Sequence, residues 1–150
     1  MLNVPGMSEA QVQLVLDHIK KPLSTKPILS CWTDLILYLH GTIGHSPTEL
    51  FHVLYLDRKN RLISDETLGR GTVDHVPVYP REVAKRCLLL DASAVILAHN
   101  HPSGDPTPSD SDISMTKEIQ KALKTLGIVL HDHVIIGASV EYSLRSHGNL

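Results

Sequence analysis

Hydrophobic residues recur along this chain with two different periods, and the switches between them mark out its elements. Val12, Val15, Leu16 and Ile19 follow the spacing of one helix face. Ser8 is placed to cap that helix and Pro22 to end it. Residues 22–29, with two prolines, read as a connector. Ser30 is placed to cap a second helix with Trp32, Leu35, Ile36 and Leu39 on one face, and Gly41 to stop it. The pattern then becomes that of strands. FHVLYLD (51–57) is rich in β-formers, Arg58-Lys59-Asn60 suits a hairpin turn into RLISDETL, and GTVDHVPVY (71–79) reads as a further extended piece. Pro80 suits the first turn of a third helix with Val83, Ala84, Cys87 and Leu88 facing inward. AVILA (94–98) is a short continuous apolar run, as a buried strand would be. After a polar, proline-rich loop, Ser109 is placed to cap a fourth helix with Ile113, Thr116, Ile119, Leu123 and Leu126 on its inner stripe, and Gly127 ends it. IVLHDHVIIG and VEYSLRS read as two closing strands. This mixed order predicts a mixed sheet flanked by helices, in the α/β or α+β range.

A length of 150 residues fits one domain, with residues 1–47 as N-terminal helices packing on a core formed by residues 48–150. The 42% hydrophobic and 20% charged fractions exclude a mainly disordered chain. No apolar run is long enough to span a membrane, and the first residues lack the layout of a secretory signal, so a cytoplasmic location is expected. Two cysteines make no disulfide framework, and Cys31 and Cys87 read as core residues. A net charge of −2 and 4% aromatic residues argue against direct nucleic-acid binding. FHVLYLD, read as an edge strand, leaves room for a homodimer.

The ten histidines matter through their placement. His99 and His101 stand two apart at the end of the buried strand, so both imidazoles project to one side. Asp112, in the first turn of the next helix, can bring a carboxylate to the same point after a loop stiffened by Pro102, Pro106 and Pro108. Ser109-x-x-Asp112 is also the pattern of a helix cap, and His-x-His at a strand end is often structural. The combination of both in one strand–loop–helix unit points instead to a metal held by two nitrogens and a carboxylate, with a position left for water. Such a site needs a base, and Glu49, Glu66 and Glu82 are all placed in stable elements. The letters His99-Asn100-His101 spell the name of a nuclease motif but lack its spread over a strand–strand–helix unit. His131 and His133, on one strand face, form a second possible pair of ligands, with a structural role the simpler alternative.

The stretch HNHPSGDPTPSDSD carries His99, His101, Pro102, Ser109 and Asp112 at the spacing of the JAMM metalloprotease signature. More closely, FHVLYLDRKNRLI, GTV, PREV, ILAHNHPSG, PSDSD and DHVIIG, over roughly residues 48–147, resemble the RadC-like branch of that family. The resemblance implies an MPN-type fold, a curved mixed sheet flanked by helices in a cytidine-deaminase-like layout. It also implies one zinc ion on His99, His101 and Asp112, Glu49 as general base in preference to Glu82, and Ser109 as a donor to the developing oxyanion. Asp132-His133 matches a pair that precedes the family's late strand. Longer relatives carry an N-terminal helix-hairpin-helix region, and the two helices expected before Glu49 suggest the short form. The implied activity is zinc-dependent cleavage of an amide bond in an unidentified peptide or protein substrate. The alternatives are a non-catalytic MPN-type scaffold and a DNA-repair-associated RadC-like protein.

Overall fold

The sheet can be derived from one feature of the apolar runs: both of its faces are buried, so strands that look uniformly hydrophobic hide an alternation of two. The computed structural model describes residues 4–71 and 77–150. Its order is α1 (Glu9–Thr25), a 3-10 turn (Ile28–Cys31), α2 (Trp32–Thr42), β1 (Leu50–Leu56), β2 (Leu62–Arg70), α3 (Pro80–Leu89), β3 (Ala94–Asn100), α4 (Asp110–Thr125), β4 (Val129–Ile136) and β5 (Glu141–Ser143). The strands lie in the order β2-β1-β3-β4-β5; β3 and β4 are parallel and the other neighbours antiparallel. This is the mixed sheet flanked by helices that the sequence pattern predicts. The expected extended piece GTVDHVPVY falls mostly outside the described residues, and its last three residues form no strand.

Along β1 and β3 the alternation sorts side chains between two cores. Leu54, Leu56, Ile96 and Ala98 pack with Leu23, Leu35 and Leu39 of α1 and α2. Phe51, Val53, Tyr55, Val95 and Leu97 pack on the opposite face with Val83, Cys87, Ile119 and Leu123 of α3 and α4. Each fully buried aliphatic side chain contributes about 1.5–3 kcal/mol. β1 is therefore an interior strand, paired on both sides, and not the edge strand expected of FHVLYLD. The sheet ends on β2 and β5. No helix among the described residues is long and apolar enough to cross a membrane.

The local signals hold with instructive exceptions. Ser8 caps α1 in a full capping box with Gln11, and Asn60 takes the positive φ that the β1–β2 turn requires. Pro22, however, sits inside α1 instead of ending it. There it forfeits one intrahelical bond, and the fully buried Leu23 beside it holds the turn in place. Ser30 does not cap α2: its hydroxyl donates to the Pro27 carbonyl within the 3-10 turn, and Cys31 occupies the cap position. Gly41 lies within α2, where a Cβ would stand 2.7 Å from Leu16 Cδ2, so the residue permits helix contact and does not stop the helix. Leu88 and Leu126, expected inward, are 61% and 44% exposed, because Val83, Cys87, Ile119 and Leu123 already fill the buried stripes.

Both thiols are free and buried, and burial pushes Cys87 up to about 11. An aromatic disulfide reagent at about pH 8 is expected to label neither thiol in the native protein and both in denaturant. Rapid native labelling of Cys87 would show that the α3 face of the core is open.

Candidate functional site

The site grows out of the pairing of β1 with β3. Their antiparallel register sets Phe51 opposite His99. Extending it by two residues brings Glu49 across from His101, on the face that looks toward α4. The side chains follow: His101 Nε2 is 3.9 Å from Glu49 Oε1, and the two imidazole Nε2 atoms stand 3.0 Å apart. Glu49 and His99 are buried, and Phe51 stacks on His99 with ring centroids 6.0 Å apart.

The third arm comes from the start of α4. Ser109 Oγ accepts from the Asp112 amide at 3.0 Å, while Asp112 Oδ2 accepts from the Ser109 amide at 2.9 Å. This reciprocal cap orients the same carboxylate toward the histidines: Asp112 Oδ1 is 3.4 Å from His99 Nε2 and Oδ2 is 3.3 Å from His101 Nε2. Capping and convergence on the histidines are thus one geometry. Because Ser109 Oγ acts in the cap as an acceptor, its hydroxyl proton remains available to a further partner. The loop between strand and helix is folded back by its own bonds. His101 Nδ1 donates to the Asp105 carbonyl at 2.9 Å, which leaves Nε2 of the neutral ring as a bare lone pair. Gly137, just after β4, allows this loop to approach: a Cβ there would collide with the Gly104 carbonyl.

The electrostatics match the geometry. Burial alone would raise the Asp112 carboxyl, but the bonds it accepts from His101 and His99 when those rings are protonated outweigh that and hold it well below the usual carboxylate range. The bond that protonated His101 gives to Asp112 raises His101 against the effect of burial. Glu49, His99, Ser109 and Asp112 border a cleft of about 470 Å³, lined also by Phe51, Val78, Tyr79 and Met115. Glu49, His99 and His101 each offer a donor atom within 4.8 Å of the others, and the group could hold a metal ion. Asp112 Oδ2 lies closer to His101 Nε2, at 3.3 Å, than Glu49 Oε1 does, at 3.9 Å. Two imidazole nitrogens with a carboxylate suit zinc and related transition ions. Among the other carboxylates considered as bases, Glu66 is taken up by Arg86 through bonds of 2.6 and 2.7 Å, and Glu82 is exposed on α3.

A family model, the RadC-like JAB domain, matches residues 29–149. The chain belongs to the RadC-like JAB family. A UPF0758 protein of Rhodobacter capsulatus is 54% identical over 157 residues, covering 100% of this chain and 73% of that protein. A UPF0758 protein of Ruegeria pomeroyi is 63% identical over 125 residues, covering 83% of this chain and 56% of that protein. The family match begins before Glu49 and takes in α2, whose Leu35 and Leu39 pack under the sheet.

Within this RadC-like site three further residues matter: sequence reasoning gave no role to Asn100, placed Thr116 only on the inner stripe of its helix, and read His133 as structural or as a possible ligand with His131. Asn100, the middle letter of His-x-His, points away from its neighbours and is 1% exposed. Its Nδ2 donates to the carbonyls of Ser46 and Thr48, and its Oδ1 accepts from the Leu50 amide at 2.7 Å. These bonds bracket Glu49 in the chain and fix where β1 begins. The second and third are His133 and Thr116, both fully buried. His133 Nε2 lies 2.7 Å from His99 Nδ1, and its Nδ1 lies 2.6 Å from Thr116 Oγ1. His131 does not join His133 as a ligand. A register shift between Val95 and Ile96 skips His131 in the β3–β4 ladder, and its ring bonds to Asn60 instead. Asp132 accepts from the His133 and Arg145 amides, which ties β4 to the chain after β5. The signal for Asn100 and Thr116 was alternation itself: each is a polar residue at a position that periodicity assigns to the interior.

Replacing Asn100 with Ala strands the Leu50 amide and two carbonyls beside a buried strand end. Asn100→Ala is expected to lower unfolding stability by about 2–3 kcal/mol in a denaturant titration. A loss under about 0.5 kcal/mol would show that these bonds do not hold the segment.

Proposed function

We propose that this chain is a metal-dependent hydrolase of amide bonds, with His99, His101 and Asp112 as ligands, Glu49 as general base and Ser109 as oxyanion donor. The observation that carries the proposal is the meeting of two imidazoles and a capping carboxylate at one point, with a second carboxylate across the strand pair, at the wall of an open cleft. His99, His101 and Asp112 would hold a divalent ion, with zinc the best match to the donors, and when bound it would supply Lewis-acid chemistry, lowering the pKa of a water to ~7.

The chain's own groups supply the rest. Glu49, buried beside His101, is placed to take a proton from the attacking water and return it to the departing nitrogen. Ser109 keeps its hydroxyl proton while capping α4, and can direct it to the developing oxyanion. Phe51, Val78, Tyr79 and Met115 give the cleft an apolar wall suited to an extended peptide or isopeptide.

One observation favours a second reading. Glu49 falls within the 4.8 Å group with His99 and His101. If it were a fourth ligand, protein would close the site and the ion would serve only to fasten the loop, as in a non-catalytic scaffold.

Glu49→Gln separates the two. As a base, it is expected to leave zinc affinity within about threefold while turnover of a peptide or isopeptide reporter falls about 10²–10⁴-fold. His99→Ala is expected to lose both, with metal content measured by mass spectrometry and affinity by competition with a chromophoric chelator. A Glu49→Gln protein that loses zinc would support the closed site, and one with full turnover would remove Glu49 as base.

A further inference from the structure

Four groups in a row behind His99 form a hydrogen-bonded chain whose direction follows from its far end. The row starts at the main-chain carbonyl of Asp112, which can only accept. Thr116 Oγ1 lies 2.6 Å from it and therefore donates its single proton there. The same oxygen lies 2.6 Å from His133 Nδ1, so it accepts from an Nδ1–H. His133 is fully buried, no carboxylate oxygen contacts its ring among the described bonds, and His99 abuts its other nitrogen. A neutral ring with its proton on Nδ1 presents Nε2 as an acceptor, and His99 Nδ1, 2.7 Å away, must supply the proton. His99 Nε2, the atom that faces Asp112 and His101, is then a bare lone pair.

We propose that His133 and Thr116 are positioning residues that fix the tautomer of His99, through a relay running from the Asp112 carbonyl through Thr116 and His133 to His99. The proposal rests on His99 acting as a metal ligand. It explains why a histidine, and not an apolar residue, stands in β4 against the core. His101 reaches the same state by a single bond to the Asp105 carbonyl, because it lies at the surface end of the strand where a loop carbonyl can reach it. His99 lies deeper, where Phe51 packs against its ring and against that of His133. Asp112 enters twice: its carboxylate meets the imidazoles, and its carbonyl anchors the relay. A small rotation of the first turn of α4 would therefore disturb ligand and tautomer together.

The relay can be read directly from nitrogen–proton correlation spectra of the imidazoles. In metal-free protein at about pH 9, where neutral rings dominate, His99 and His133 are both expected as Nδ1–H tautomers. Thr116→Val keeps the shape of the side chain but removes the acceptor. It is expected to turn His133 to the Nε2–H form, move the proton of His99 to Nε2, and weaken zinc binding about 10–100-fold. Thr116→Ser restores the hydroxyl and is expected to stay within about threefold of wild type. An Nε2–H His133 in the wild-type spectrum overturns the relay, as does a folded Thr116→Val protein with unchanged zinc affinity. If Thr116→Val fails to fold, the wild-type spectrum alone decides. A wild-type protein that shows both Nδ1–H tautomers yet binds no zinc would sink the metal reading and leave the relay standing.

Discussion

The register between β1 and β3 is the constraint on which the rest depends. Phe51 pairs with His99, and that one alignment places Glu49 beside His101 and Phe51 against His99. A slip of one residue would turn every side chain of β1 to the other face. Glu49 would then look toward α1 and α2, and an apolar residue would take its place at the imidazoles. The register is guarded twice. Burial of both faces of β1 makes any slip expose apolar surface or bury polar groups. Asn100 also holds the backbone on either side of Glu49 through three side-chain bonds.

Behind the candidate site, four buried polar side chains each have a named partner. An unpaired amide, hydroxyl or imidazole in such a place costs about 1–3 kcal/mol. His99, Asn100, Thr116 and His133 are each at most 1% exposed, and each is bonded. These bonds hold the groups in place, which a site needs if its donors are to converge before a ligand arrives. α4 carries most of this burden. Its cap orients Asp112, its first carbonyls anchor the relay, and Ile119 and Leu123 dock it on the sheet.

The chain's regularities were readable in rough proportion to how local their causes are. The His-x-His pair, the Ser109 cap and the Asp112 position all follow from spacing within one strand–loop–helix unit, and the structure brings those side chains together. The errors came where distant packing overrules a local rule. Pro22 stays helical because Leu23 is buried, and Gly41 is small because α1 crosses α2 at that point. Leu88 is exposed although it continues a helical stripe. His131 and His133 look equivalent in sequence, but the register shift in β4 parts them.

Periodicity and motif spacing by themselves determined the class of fold, the two imidazoles on one side of a strand, and the cap that carries the aspartate, because each is set by bonds between residues few steps apart. The placement of Glu49 beside His101 and of Glu66 on Arg86, the interior place of β1, and the alignment of Thr116 behind His133 and His99 were set only by tertiary structure. Those contacts join residues tens of positions apart, and no local period records which strand will lie beside which.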